Sequence, residues 1–166
     1  MNLSHLDEGA ADMHLEPQDL FETASSAIRS LSQEAADADV TVTLSGQPAI
    51  VNGIPQLLFG IVFNLCDNAI KYNKKGGSVF ISILSDAETV SLTVRDTGIG
   101  ISTEHQEHIF ERFYRVDKSH SKQLGGTGLG LSIVKHAAKI HHADIMLQSV
   151  PGSGTTIMVT FPKHEI

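Results

Sequence analysis

Five residues of one segment carry the first chemical signal. Gln56, Gly60, Asn64, Asn68 and Lys71 recur every three or four positions along a stretch that is otherwise apolar: Leu57, Leu58, Ile61, Val62, Phe63, Leu65, Cys66, Ala69 and Ile70. At the helical repeat this spacing lines them up on a single face. Two amides one turn apart on such a helix need partners, because a buried amide left unpaired costs about 1–3 kcal/mol. Another core amide, a hydrated metal and a ligand all satisfy that requirement.

Two further segments offer chemistry of a complementary kind. Asp96-Thr97-Gly98-Ile99-Gly100 follows an apolar alternating run directly. A carboxylate there can accept from a buried donor such as an exocyclic amine, and the two glycines permit close backbone approach; an ordinary Asp-Gly turn has the same composition. Gly125-Gly126-Thr127-Gly128-Leu129-Gly130-Leu131-Ser132 runs into a helical pattern, and backbone amides at a glycine-lined helix start bind phosphate. The series is neither common phosphate motif. Ile133 stands where a dinucleotide fingerprint needs its third glycine, and no Gly-Lys-[Ser/Thr] occurs.

The elements that must position these groups follow from periodicity. Pro17-Gln18-Asp19 and then Leu20, Ala24, Ala27, Ile28 and Leu31 predict a helix over about 18–36. Val40 to Leu44 reads as a strand, Ser45 to Pro48 as a turn and Ala49-Ile50-Val51 as its short partner strand. Asn52-Gly53 punctuates the chain, and Pro55 suits the first position of a buried helix reaching Tyr72. Lys74-Lys75-Gly76-Gly77 ends it. Residues 79–84 and 90–94 form a hairpin around Asp86-Ala87-Glu88. Only one short helix, about 103–109, is expected before Gly125, and a loop that long is functional or mobile as a rule. A helix from about 129 to 140 and strands at 145–150 and 156–161 complete an α+β two-layer sandwich: a mixed, mostly antiparallel sheet with three main helices on one face.

Composition narrows the function classes. The 166 residues, with 41% hydrophobic side chains and a net charge of -7, suit one domain with one core. The longest apolar run, residues 57–63, falls far short of the roughly 20 residues a bilayer span needs. Met1 to Glu8 has neither a basic nor an apolar signal region, so no signal peptide is expected there. The lone Cys66 excludes a disulfide framework and a cysteine-based zinc site, and fits a reducing compartment. Charge is uneven: residues 1–63 carry nine acids and one base, whereas residues 64–139 carry eight acids and ten bases. Bases interleaved with clustered glycines suit a small anion better than a nucleic acid, which needs a broad basic stripe.

Four segments in order, Asn64 to Tyr72, Asp96 to Gly100, Phe110-Glu111-Arg112-Phe113-Tyr114-Arg115 and Gly125 to Leu131, resemble the N, G1, F and G2 boxes of the ATP-binding catalytic domain of sensor histidine kinases. The resemblance spans about residues 17–163, including Gly152-Ser153-Gly154-Thr155 and Phe161-Pro162. It implies one catalytic domain over 17–163 with an ATP lid at about 102–124. Leu3 to Gly9 resembles the end of a dimerisation helix, with the rest of 1–16 as linker. It further implies that Asn64 and Asn68 hold Mg²⁺ against ATP, that Lys71 offsets phosphate charge and that Tyr72 lines the pocket. Asp96 would accept from the adenine amine, with Gly98 and Gly100 giving the backbone access to the base. Gly126, Thr127, Gly128, Leu129 and Gly130 would surround the phosphates, and Thr155 would stand near the adenine end. Arg112, Arg115 or Lys118 would approach the γ-phosphate, with Phe110 and Phe113 as apolar anchors.

Related gyrase, mismatch-repair and chaperone ATPases place Glu four residues before the metal-binding Asn, to activate water; Asn64 stands there in this chain. An amide is no general base, whereas a neutral imidazole acceptor brings its own lone pair. The resemblance therefore implies transfer to histidine, with hydrolysis disfavoured and a nucleotide-binding signalling module without transfer as the alternative. None of the nine histidines has the acid followed by Thr or Asn that marks acceptors of this family. The implied partners are a histidine-bearing dimerisation domain and a response regulator, with no nucleic acid and no membrane contact by this segment. The expected location is cytoplasmic, with a membrane-anchored sensor carrying this domain on its cytoplasmic side as one form of the parent. His105 with His108, and His141 with His142, are read as surface histidines rather than metal ligands. Asn52-Gly53, where the family often has Gly-Asp, leaves the helix cap at Pro55 in question.

Overall fold

The computed structural model describes residues 14–111 and 130–163. Its elements are β1 (Glu16–Asp19), α1 (Leu20–Ser30), α2 (Ser32–Asp37), β2 (Thr41–Gly46), β3 (Ile50–Gly53) and α3 (Pro55–Lys71). They continue as β4 (Ser78–Ser85), β5 (Thr89–Asp96), α4 (Thr103–Gln106), α5 (Gly130–Ile140), β6 (Asp144–Val150) and β7 (Gly154–Pro162). Five strands form one sheet in the order β2-β4-β5-β7-β6, and β1 and β3 form a separate antiparallel pair. Only β2 and β4 run parallel. This is the mixed, mostly antiparallel α+β sandwich expected.

One side of the sheet carries the core. Val79, Ile81 and Ile83 of β4, Val90, Leu92 and Val94 of β5, and Ile157, Val159 and Phe161 of β7 are buried at alternate positions, as the two-residue repeat of a strand requires. Against them α3 buries Leu58, Ile61, Val62, Leu65, Cys66, Ala69 and Ile70, with α1 and α5 packed beside it. Each buried Leu or Ile contributes roughly 1.5–3 kcal/mol. The opposite sheet face bears residues such as Arg95, whose guanidinium sits 4.7 Å from the Phe80 ring centre.

Two local expectations are corrected. The helix expected over 18–36 starts at Leu20 and breaks at Leu31. Asp19 belongs to β1 and caps α1, its carboxylate accepting from Phe21 N at 3.0 Å and Ala49 N at 3.1 Å. At the break, Ser30 Oγ donates to the Ala27 carbonyl at 2.7 Å, and Leu31 N turns to Ile28 O instead. A serine hydroxyl that competes for a helical carbonyl weakens the ladder at that point. The segment expected to pair with β2 also goes elsewhere. β3 pairs with β1, Ile50 opposite Asp19, while β2 lies parallel to β4, Val42 opposite Val79. Residues 45–48 are therefore no hairpin turn, and α3 lies in the connection that parallel strands need.

Candidate functional site

The polar face of α3 is half-buried at Gly60, Asn64, Asn68 and Lys71, while Gln56 at its start is exposed. Asn64 Nδ2 donates to the Gly60 carbonyl at 2.7 Å, one turn back, which leaves its Oδ1 as an acceptor. That oxygen faces the start of α5: a Cβ at Gly130 would lie 3.1 Å from it. Asn64 and the last glycine of the glycine-rich series are therefore neighbours. Asn68, a turn further on, makes no side-chain hydrogen bond among the described residues. Lys71 Nζ is paired with Asp67 Oδ2 at 3.0 Å, a contact that motif reading did not supply. It is partly exposed, where such pairs are worth about 0–1 kcal/mol, so a stronger anion can recruit the ammonium.

Asp96 closes β5 in a different environment. Its Oδ1 accepts from Gly98 N at 2.9 Å and from Thr155 N at 3.2 Å. Burial pushes this carboxyl above its ordinary value, and the two backbone bonds act the other way. With Oδ1 filled, Oδ2 is the acceptor left for a ligand. Gly98 is pressed against the chain leaving α3, so that a Cβ there would run into the Tyr72 carbonyl and Asn73 Cα. Tyr72 O accepts from Ile99 N at 3.1 Å. Thr97 Oγ1 accepts from Ser78 N at 2.9 Å, and Asn73 Nδ2 donates to Ser78 O at 3.0 Å. These contacts fasten the Asp96 loop to the C-terminal end of α3.

Gly100 adopts φ 72°, a left-handed conformation, and a Cβ there would run into the Val150 carbonyl. Beyond it a second network starts. Ile101 N donates to Ser149 Oγ at 2.7 Å, and Gln106 Nε2 donates to Ile101 O at 2.8 Å and Ser149 O at 3.1 Å. Ser149 Oγ also meets Gly154 O at 3.0 Å and Thr155 Oγ1 at 2.8 Å. Thr155, expected near the adenine end, is thus bonded through its backbone to Asp96 and through its hydroxyl to Ser149. Ser149 was not singled out from the sequence. A usable signal was present: on β6 it shares parity with Ile145 and Leu147, which pack on the core, so it is a hydroxyl at an inward position.

His141 corrects an expectation. It is buried, with 4% of its surface exposed. Its Nε2 accepts from Ile54 N at 3.0 Å and its Nδ1 donates to the Ala137 carbonyl at 2.7 Å, an assignment of the neutral ring that the two partners dictate. α3 has no side-chain cap of its own, and His141, reaching from the end of α5, takes up an N–H at its start. Burial lowers its tendency to charge, and neighbouring His142 adds to this. Cys66 is buried as well, its thiol pushed up to about 12 chiefly by burial, and is therefore unreactive. His108 lies 2.9 Å from Glu111, and among the described residues no three His, Cys, Asp or Glu side chains cluster for a metal. The helix expected over 103–109 is shorter, Thr103–Gln106, followed by turns. Arg112, Phe113, Arg115, Lys118 and Gly125 to Leu129 lie outside the described residues.

The arrangement offers carboxylate and hydroxyl oxygens at one end of α3 and amide oxygens along its polar face. Comparison with known proteins gives the family of the chain. Residues 53–165 match the family described as histidine kinase-, DNA gyrase B- and HSP90-like ATPase. The chain is 37% identical over 165 residues to the sensor-like histidine kinase SenX3 of Mycolicibacterium smegmatis, covering 99% of this chain and 43% of that protein. It is 41% identical over 132 residues to the sensor histidine kinase RppB of Synechocystis, covering 80% of this chain and 29% of that one. Its fold is similar to the solved structure of the mycobacterial sensor histidine kinase MprB, with a TM-score of 0.79, 27% identity, and coverage of 92% of this chain and 99% of that one. The chain spans less than half the length of these two curated relatives, and no described helix is long and apolar enough to cross a membrane.

Proposed function

We infer the function from one premise: this chain belongs to the histidine kinase-, DNA gyrase B- and HSP90-like ATPase family, as a catalytic ATP-binding domain of the sensor histidine kinase type. It binds Mg-ATP over the polar face of α3 and donates the γ-phosphoryl group to a histidine on a separate dimerisation domain, from which a response regulator is supplied. The observation that carries the nucleotide reading is Asp96, a partly buried carboxylate with one oxygen saturated by backbone N–H groups and the other left to accept. An adenine amine donates there, whereas the 6-oxo group of guanine is an acceptor and is repelled.

Asn64 and Asn68 fit a hard cation. They are oxygen donors, one with its amide nitrogen already engaged and the other without a side-chain partner among the described residues, and neutral ligands leave positions for phosphate oxygens and water. Bound there, Mg²⁺ would neutralise charge on the phosphate oxygens. Lys71 adds a cation that moves from Asp67 towards the phosphates, and Tyr72, Gly98, Gly100 and Thr155 border the base. Gly126, Thr127, Gly128, Leu129 and Gly130 lead into α5 with amides for phosphate, and Arg115 serves the γ-phosphate.

The choice of transfer over hydrolysis rests on what α3 lacks. Its only acidic residue is Asp67, which directly precedes Asn68 in the chain, and Asn64, four residues before Asn68, supplies an amide where a hydrolase needs a base. The side chains then act by positioning and charge neutralisation. Calorimetric titration with a non-hydrolysable ATP analogue, with and without Mg²⁺, should show metal-dependent binding. Adding ATP and a histidine-bearing dimerisation domain should then yield acid-labile phosphohistidine. Binding without transfer would favour a signalling module that only senses nucleotide; phosphate release without the acceptor domain would favour a hydrolase.

A further inference from the structure

We propose that Ser149 sets the hydrogen-bond polarity of Thr155, making it a specificity-determining positioning residue for an amino-bearing purine. The inference rests on the nucleotide reading of the Asp96 site. A serine hydroxyl has one proton and two lone pairs, and three partners stand around Ser149 Oγ. The Gly154 carbonyl, at 3.0 Å, can only accept and takes the proton. The Ile101 amide, at 2.7 Å, can only donate and fills one lone pair. Thr155 Oγ1, at 2.8 Å, is then obliged to donate into the second lone pair. All three distances lie within the usual ranges.

The consequence falls on Thr155. With its proton spent on Ser149, its hydroxyl presents only lone pairs to anything else. Its backbone N–H is bonded to Asp96 Oδ1, so the two residues are adjacent, and both show acceptors: Asp96 Oδ2 and Thr155 Oγ1. An exocyclic amine has two N–H donors for such a pair, whereas a 6-oxopurine meets it with a third acceptor. Removing the Ser149 hydroxyl frees the Thr155 proton, and the rotated hydroxyl can then donate to an oxo group.

The test is displacement of a fluorescent ATP analogue from the whole chain by ATP and by inosine triphosphate, in the presence of Mg²⁺. Ser149→Ala should narrow the preference for ATP over inosine triphosphate roughly fivefold, the worth of one ordinary hydrogen bond. Ser149→Thr, which keeps a hydroxyl, should restore the preference. In a Thr155→Val background Ser149→Ala should leave the ratio where it is, since the hydroxyl it controls is gone. Should Ser149→Ala not melt cooperatively, Ser149→Cys carries the same ratio test, because a thiol fills the space and is a weak hydrogen-bonding group. Equal weakening of both nucleotides would overturn the proposal by reducing Ser149 to a structural residue. Failure of the unaltered chain to bind ATP would overturn the nucleotide reading itself.

Discussion

The Asp96 corner and the polar face of α3 are built on opposite principles. At Asp96 the protein completes its own network: Oδ1 is doubly bonded, Thr155 is fixed by backbone and hydroxyl, and Ser149 and Gln106 tie Ile101 to β6. Along Asn64, Asn68 and Lys71 the groups are only lightly engaged: a local helix contact, no side-chain hydrogen bond among the described residues, and a partly exposed ion pair, respectively. A base is a neutral, rigid ligand whose edge can be met by preset donors and acceptors. Phosphates and a cation are strongly hydrated, and groups that exchange partners at little cost suit them better.

That contrast can be broken at several points. The largest effect should come from Asn68→Ala, which removes an oxygen ligand: Mg²⁺ should cease to strengthen nucleotide binding while thermal melting is retained. An unchanged gain from Mg²⁺ in the calorimeter would remove Asn68 from the metal. Asp96→Asn comes next. It exchanges a carboxylate for a neutral amide, and a bond to a charged group is worth about 1.5–3 kcal/mol, so ATP affinity should fall at least tenfold and its advantage over GTP should shrink. Retention of that advantage would refute the role of Asp96. The same carboxyl gives a pH signature. Because its folded value is raised by burial, ATP affinity should decline on acidification at a higher pH than an ordinary aspartate allows. Asp96→Asn should flatten that limb.

Smaller effects test the supports. His141→Leu leaves the Ile54 amide without its acceptor and should cost about 1–3 kcal/mol of stability, read by denaturant unfolding. The sign of its pH dependence follows from a folded value lowered below 6.5. Stability from the neutral ring is present above 6.5, the unfolded value, and is lost as pH falls through the folded one. His141→Gln, with an acceptor and a donor in one amide, should recover part of the stability and lose that dependence. The smallest effect belongs to Asp67→Asn. Freeing Lys71 and removing a negative charge should raise affinity for the triphosphate by no more than about threefold, with a steeper salt dependence. A large loss would make Asp67 a part of the metal site.

Much of this was legible in the residues because it is local. The α3 stripe follows from spacing along one helix, the β4–β5 hairpin from two alternating runs joined by Asp86, whose carboxylate accepts from Glu88 N and Thr89 N, and the Asp96-to-Gly100 turn from its composition. The β2–β3 assignment failed for the same reason that these succeeded. Adjacent alternating runs around Gly and Pro suggest a hairpin, yet β2 reaches past α3 to pair with β4, and nothing in residues 40–51 alone encodes that. His141 was misjudged because a histidine beside another histidine at a helix end gives no hint of burial.

Sequence alone determined which groups the chain could bring to a ligand: amides on a helical face, a carboxylate before glycines, and glycines before a helix. These depend on side-chain chemistry and on periods of two and 3.6 residues, which neighbouring positions set between them. Tertiary structure decided which of those groups are already occupied and by whom. Ile54 and His141 are 87 residues apart, Asp96 and Thr155 are 59 apart, and Ile101 and Ser149 are 48 apart. A hydrogen bond has meaning only between atoms within about 3 Å, and over such separations only the packed sheet and helices bring them there.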